Sequence, residues 1–315
     1  MISSPRILGR SCLIILVFQN LLYTICMRHV RSRDGGKFFP SSMMLISESL
    51  KMLTCVLVLH FTDGLWSSVY YLRSNFKDSV KTCVPALIYL IQNRLLVAAL
   101  ECLDAATFQV AYQLKLLTTA LFSVLILRRT ISSTQWFSLC LLFLGVSFVE
   151  PPTLAMPSKT LNPTLGLMYV ICAAILSGFA SIYFELLLKN SSKSLWLRNL
   201  ELASISLVIG FVGQTYSEGS LIRQKGFFYA FDWLVWLTVF LHSFGGLIVA
   251  LVVKYANNML KGFACSVSIV LSCLYSFIFL GVEPNRSFLI GTFCVLTSVL
   301  LYSMYPSAKL SSAQK

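Results

Sequence analysis

The stretch FQVAYQLKLLTTALFSVLILRR, residues 108–129, decides what kind of protein this is. It is mostly apolar or hydroxyl-bearing over the length a helix needs to cross a bilayer, about 20 residues. Yet it carries a lysine, Lys115, well inside it. Composition sets the solvent that this charge faces. Hydrophobic residues make up 57% of the 315 and charged residues 12%, a balance far from that of a water-soluble domain. Similar apolar runs recur from end to end, at 7–27, 38–61, 80–100, 103–127, 135–150, 164–188, 196–216, 230–253, 259–281 and 287–306. The chain reads as an all-α membrane protein of ten transmembrane helices, with no stretch left for a soluble domain.

Other readings fall away on inspection. Arg6 and Arg10 precede the first run as in a secretory signal, but no clean small-x-small cleavage site follows, so it is kept as a span. The ten cysteines sit mostly inside apolar runs, as Cys12, Cys55, Cys140, Cys172, Cys265 and Cys294 do, with no CxxC pair. They read as small hydrophobes. His29, His60 and His242 are scattered, with no HExxH and no cysteine at ligand spacing, so no metal or other cofactor is expected. No His/Asp or Cys/His set converges in the manner of a membrane-embedded transferase, so no enzyme is expected.

The net charge of +13 is divided among short loops and not gathered on one face, which argues against a nucleic-acid partner. The N-terminus and every second loop after it are the richer in Lys and Arg, with Arg73, Lys77, Lys81, Arg128, Arg129, Lys189 and Lys193 among them. The positive-inside rule then puts both termini in the cytosol. The basic loop RHVRSRDGGK, 28–37, lies on the other side and weighs against this orientation.

An internal repeat organises the spans. LVAALECLDAATFQVAYQLKLLTTALFSVL aligns with LIVALVVKYANNMLKGFACSVSIVLSCL so that Lys115 and Lys261 coincide. A duplicated five-helix unit inserted in opposite senses gives two inverted repeats, 1–150 and 164–306, with PPTLAMPSKTLNP (151–163) as linker and 307–315 as a cytosolic tail. In transporters built this way the substrate site lies near the membrane midplane.

A lysine at a helix centre costs about 2.5–3.5 kcal/mol on insertion scales, so such a group faces a cavity or a partner. Snorkelling toward a helix end is the alternative for Lys254 and Lys261. Phe108, Gln109, Tyr112 and Lys115 follow i, i+1, i+4 and i+7 spacing and share a strip. Aromatic faces beside an amide and a cation suit a base and a phosphate, with interhelical packing as the alternative. YLIQNRLL adds Tyr89, Gln92 and Asn93, and SESLKML adds Glu48 and Lys51, an i, i+3 pair that can neutralise itself. Gly245 and Gly246 admit either a packed neighbour or a ligand.

Four motifs carry a family resemblance: LDAATFQVAYQLKLLTTALFSVLILRR, GFASIYFELLLK, SLWLRNLEL and GGLIVALVVKYANNMLKGFACSVSIVLS. Over residues 40–305 the chain resembles the Golgi nucleotide-sugar transporters, in the group of UDP-galactose, UDP-N-acetylglucosamine and CMP-sialic acid carriers. That resemblance implies a drug/metabolite-transporter fold. It also implies exchange of a cytosolic nucleotide sugar for a lumenal nucleoside monophosphate by alternating access, in the Golgi membrane. It places Tyr89, Asn93, Gln109, Tyr112, Lys115, Asn199, Lys254 and Lys261 where the family lines its nucleotide cavity. Three positions depart from the pattern: Phe108 stands for the usual tyrosine, Glu201 for glutamine and Asn257 for aspartate. Glu201 adds an anion near a site for anions unless it pairs with Arg198 or stays protonated.

The substrates expected are a UDP-sugar, UDP-galactose ahead of UDP-N-acetylglucosamine, and UMP. Val249 and Ala250 are apolar where the resembling CMP-sialic acid carriers tend to place hydroxyls, and a cytosine amino group left unpaired costs about 1–3 kcal/mol. Homo-oligomers or complexes with glycosyltransferases are the partners considered. The alternatives are a CMP-sialic acid carrier or a non-transporting Golgi scaffold, which would need no central lysine.

Overall fold

The computed structural model describes residues 5–32, 38–62, 64, 67, 70, 74, 76–103, 105–149, 162–190, 194–280 and 286–304. Among them the regular structure is helical. The helices are α1 (Pro5–Ser32), α2 (Pro40–Thr62), α3 (Phe76–Val80), α4 (Cys83–Cys102), α5 (Ala105–Tyr112), α6 (Leu114–Leu127) and α7 (Ser133–Val149). They continue as α8 (Pro163–Asn190), α9 (Leu195–Ser217), α10 (Gly219–Lys225), α11 (Trp233–Tyr255), α12 (Asn258–Leu280) and α13 (Arg286–Met304). Apart from its ends and an interruption within 103–127, every apolar stretch read from the sequence is helical over its described residues. Among the described residues seven candidate spans, drawn from α1, α2, α3–α4, α8, α9, α11 and α12, are long and apolar enough to cross a membrane; α6, α7 and α13 are shorter apolar helices. The linker 151–161, the tail 307–315 and the loop 33–37 lie outside the described residues.

The expected span 103–127 is corrected. It is two helices, α5 and α6, meeting at Gln113. The Thr118 and Thr119 hydroxyls both donate back to the Lys115 carbonyl, at 3.1 and 2.6 Å, and such back-bonding bends helices. Gln113 keeps helical dihedrals, φ −61° and ψ −17°, so the chain direction carries through. At its far end α6 stops at Arg128, whose φ of 51° is left-handed.

Capping side chains start α9 and α11. Ser194 accepts from Leu197 N at 3.3 Å to open α9, and Asp232 accepts from Val235 N at 2.9 Å to open α11. Each satisfies a first-turn donor that has no intrahelical partner.

The chain divides into two compact units, the first within Met1–Ala86 and Leu187–Ala256, the second within Leu87–Leu186 and Asn257–Lys315. Each draws on both sequence halves. In the first, α1 packs on α11, and α2 packs on α9 and α11, around Val30, Phe38, Met43, Val235 and Val239. Gln214 Nε2 donates to Ser42 Oγ at 2.8 Å, tying α9 to the start of α2. In the second unit α7 lies along α13. A Cβ on Gly145 would come within 2.9 Å of Cys294 Cβ, so the missing side chain is what permits this approach. Leu142, Val146, Phe263, Phe288 and Val295 fill the core beside them. Phe18, Leu125, Ile278 and Phe293 point outward, as side chains facing lipid do.

Candidate functional site

The second unit collects the aromatic and cationic residues that the sequence singled out. Phe108 and Tyr112 stack, with ring centroids 6.0 Å apart and planes at 23°. Lys115 Nζ lies 4.2 Å from the centroid of the Tyr112 ring. Phe108, Tyr112 and Lys115 therefore stay together across the break at Gln113. A cation over an aromatic face gains about 0.5–2 kcal/mol, which offsets part of the cost of a lysine in this setting.

Tyr112 is itself held in place. Gln92, 6% exposed on α4, donates from Nε2 to Tyr112 Oη at 2.8 Å. Ser177 of α8 lies within hydrogen-bonding reach of the same hydroxyl, and Ser181, one turn further on, reaches Tyr89. Thr118 Oγ1 donates to the Ala174 carbonyl at 2.7 Å and fixes α6 on α8. Gly178 is required at that crossing, since a Cβ there would lie 2.8 Å from the Thr118 backbone. Asn93 is exposed on α4, and Gln109 belongs to α5 with its side chain outside the described residues.

Lys261 sits in the first turn of α12 and Lys115 in the first turn of α6. The two lysines are within electrostatic reach of each other, and Glu185 is within reach of Lys261. Two ammonium groups within such reach repel, and an anion placed between them relieves that repulsion. The first turn of α12 is anchored by Asn257, whose Oδ1 accepts from Leu260 N at 2.8 Å. Asparagine caps a helix about as well as aspartate, so this departure from the family pattern leaves the cap in place.

The first unit carries the remaining residues. Lys51 Nζ pairs with Glu48 Oε1 at 2.7 Å, so the i, i+3 pair is formed. Gly246 faces this pair, and a Cβ there would lie 2.7 Å from Lys51 Cε and 3.0 Å from its Nζ. Gly245 faces the Gln19 amide, and Gln19 Nε2 donates to the Leu241 carbonyl at 2.9 Å. Tyr23 and His242 lie ring to ring at 5.5 Å nearby. Lys254 ends α11 with Nζ 5.9 Å from the Tyr255 ring. Asn199 is buried on α9 and donates to the Leu195 carbonyl of its own helix at 2.9 Å.

Glu201 has the partner its sequence neighbourhood suggested. Arg198, 1% exposed, donates from Nη1 to Glu201 Oε2 at 3.1 Å, and Thr82 Oγ1 donates to the same oxygen at 2.9 Å. Arg198 also reaches Asp78, donating to its carbonyl at 3.0 Å and pairing with Oδ2 at 2.7 Å.

Two participants escaped the sequence reading. Glu185 and Arg129 form an ion pair in the second unit, with Glu185 wholly buried. The signal for Glu185 was present: a lone acid inside GFASIYFELLLK, within the last turns of an apolar span.

A family model described as nucleotide-sugar transporter matches residues 6–303. The UDP-galactose translocator of Bos taurus is 43% identical over 304 residues, covering 93% of this chain and 77% of that one. The UDP-N-acetylglucosamine transporter of Homo sapiens is 39% identical over 307 residues, covering 93% and 94%. The UDP-galactose/UDP-N-acetylglucosamine transporter srf-3 of Caenorhabditis elegans is 39% identical over 302 residues, covering 94% and 82%. A crystal structure only 13% identical shares the fold, with a TM-score of 0.66 over 96% of this chain and 98% of that one.

Proposed function

We propose that this chain, which belongs to the nucleotide-sugar transporter family, imports a UDP-sugar into the Golgi lumen in exchange for UMP by alternating access. The observation that carries the proposal is Lys115 over the Tyr112 ring, with Lys261 within electrostatic reach. A stacked aromatic pair beside two cations offers a base a face and a phosphate its counter-charge. Tyr89, Asn93, Phe108, Gln109, Tyr112, Lys115 and Lys261 bind the nucleotide in this reading. Glu48, Lys51, Asn199, Gly245, Gly246 and Lys254 are the further substrate-binding residues in this reading. An anion bound near both ammonium groups weakens their mutual repulsion, so the loaded carrier reorients more readily than the empty one, which favours exchange over leak.

The architecture proposed with this function is ten spans in two inverted five-helix repeats, 1–150 and 164–306. UDP-galactose is placed first and UDP-N-acetylglucosamine second. The apolar pair Val249 and Ala250 disfavours cytosine, and relatives named for these two UDP-sugars support the order of nucleotides. In proteoliposomes loaded with UMP, uptake of UDP-galactose is expected to run several-fold above that in CMP-loaded vesicles. Equal stimulation by CMP, with CMP-sialic acid entering faster than any UDP-sugar, overturns the assignment.

Both termini are placed in the cytosol, with the loop after α8 on the same side. Asn190 of NSS (190–192) is therefore expected to carry no glycan when the chain is expressed in cells. A shift in its gel mobility on glycosidase treatment that the Asn190→Gln variant lacks would reverse the orientation.

A further inference from the structure

We propose that Glu185 is the positioning residue for Lys261: it holds the first turn of α12 in place, and Arg129 holds Glu185. The inference rests on the transport reading above. Glu185 lies on α8 and is 0% exposed. A carboxylate in such surroundings persists only with a counter-charge and hydrogen-bond donors. It has both. Arg129, just past the end of α6, pairs with Oε1. The backbone N–H of Asn258, the first residue of α12, donates to Oε2 at 3.1 Å.

That second bond is what links Glu185 to the candidate phosphate site. The leading N–H groups of a helix have no partner within it, and a negative charge at that end is favoured by the helix dipole. At α12 Glu185 takes the N–H of Asn258 and Asn257 Oδ1 takes that of Leu260. The Lys261 N–H then bonds the Asn257 carbonyl at 3.2 Å. Lys261 thus rides on a turn whose first residue is tied to Glu185. Removing the carboxylate frees the Asn258 N–H, loosens that turn and takes from Arg129 the carboxylate it pairs with. A phosphate bound at this place then meets an ammonium that is less well positioned, and preorganisation is lost.

The test separates positioning of the phosphate contact from general support of the fold. UMP and uridine are each titrated calorimetrically into the purified full chain in detergent. In Glu185→Ala, UMP binding is expected to weaken tenfold or more, and uridine binding, which has no phosphate for Lys261 to meet, less than twofold. Glu185→Gln keeps an acceptor for Asn258 but gives up the charge facing Arg129, and is expected to lose about threefold for UMP alone. It decides the matter by itself if the alanine variant does not fold. Equal losses for UMP and uridine, or no loss for either, overturn the inference while wild-type UMP binding upholds the transport reading. A wild-type chain that binds no UMP overturns both.

Discussion

Replacing Lys115 by alanine is expected to lower UMP-stimulated uptake of a UDP-sugar by roughly a hundredfold or more, with protein amount and melting temperature unchanged; Lys261→Ala is expected to do the same. The magnitude follows from the setting. Truncating one member of a close, desolvated charge pair costs about 2–5 kcal/mol, because the other charge is left unpaired. In the proposed site that other charge is the phosphate of the substrate. Stability moves little because a cation within an apolar span is costly to the fold. Lys115 gives up its contact with the Tyr112 ring, 4.2 Å away. Uptake from purified variants in proteoliposomes, normalised to protein, is the measurement. Normal uptake by both variants would remove the phosphate contact from the account.

The largest expected effect on stability is that of Arg198→Ala. Arg198 is 1% exposed and joins Asp78, Thr82 and Glu201. Glu201 is itself only 8% exposed. Removing the guanidinium leaves a buried carboxylate without its cation, a change that costs about 3–5 kcal/mol. That corresponds to a fall of roughly 10 °C in melting temperature for a chain of this size. Adding Glu201→Gln, which removes the stranded charge and keeps an acceptor for Thr82, is expected to restore part of the loss. A single variant that melts with the wild type would show that the network contributes nothing to stability.

The resolved pair of Arg198 and Glu201 shows what the sequence holds and what it withholds. Two residues three apart on a helix share a face, so this pair and Glu48 with Lys51 were both legible from spacing. The same is true of the apolar lengths, which locate the helices because a bilayer sets the length they need. Partners brought together by folding carry no such signal. Glu185 accepts from Asn258, 73 residues away, and Arg198 reaches Asp78 across 120. Nothing local in either segment announces the other. The interruption at Gln113 is hidden too: the apolar stretch runs on across it, and hydrophobic periodicity does not register a one-residue break.

The glycines show the same limit at shorter range. Gly245 and Gly246 were open to two readings, a packed neighbour or a ligand, because a missing Cβ says only that something approaches closely. In the first unit those neighbours are the ends of Gln19 and Lys51. Lys51 is in turn paired with Glu48, so the glycine beside it admits a charged group and not merely another helix.

The central proposal is exchange of a UDP-sugar for UMP, and the direct measurement is efflux of labelled UMP from proteoliposomes on addition of external UDP-galactose. The account predicts that efflux rises several-fold over buffer, that one UMP leaves for each UDP-galactose that enters, and that Lys115→Ala vesicles show no rise. Efflux that is the same with and without external UDP-galactose would contradict it.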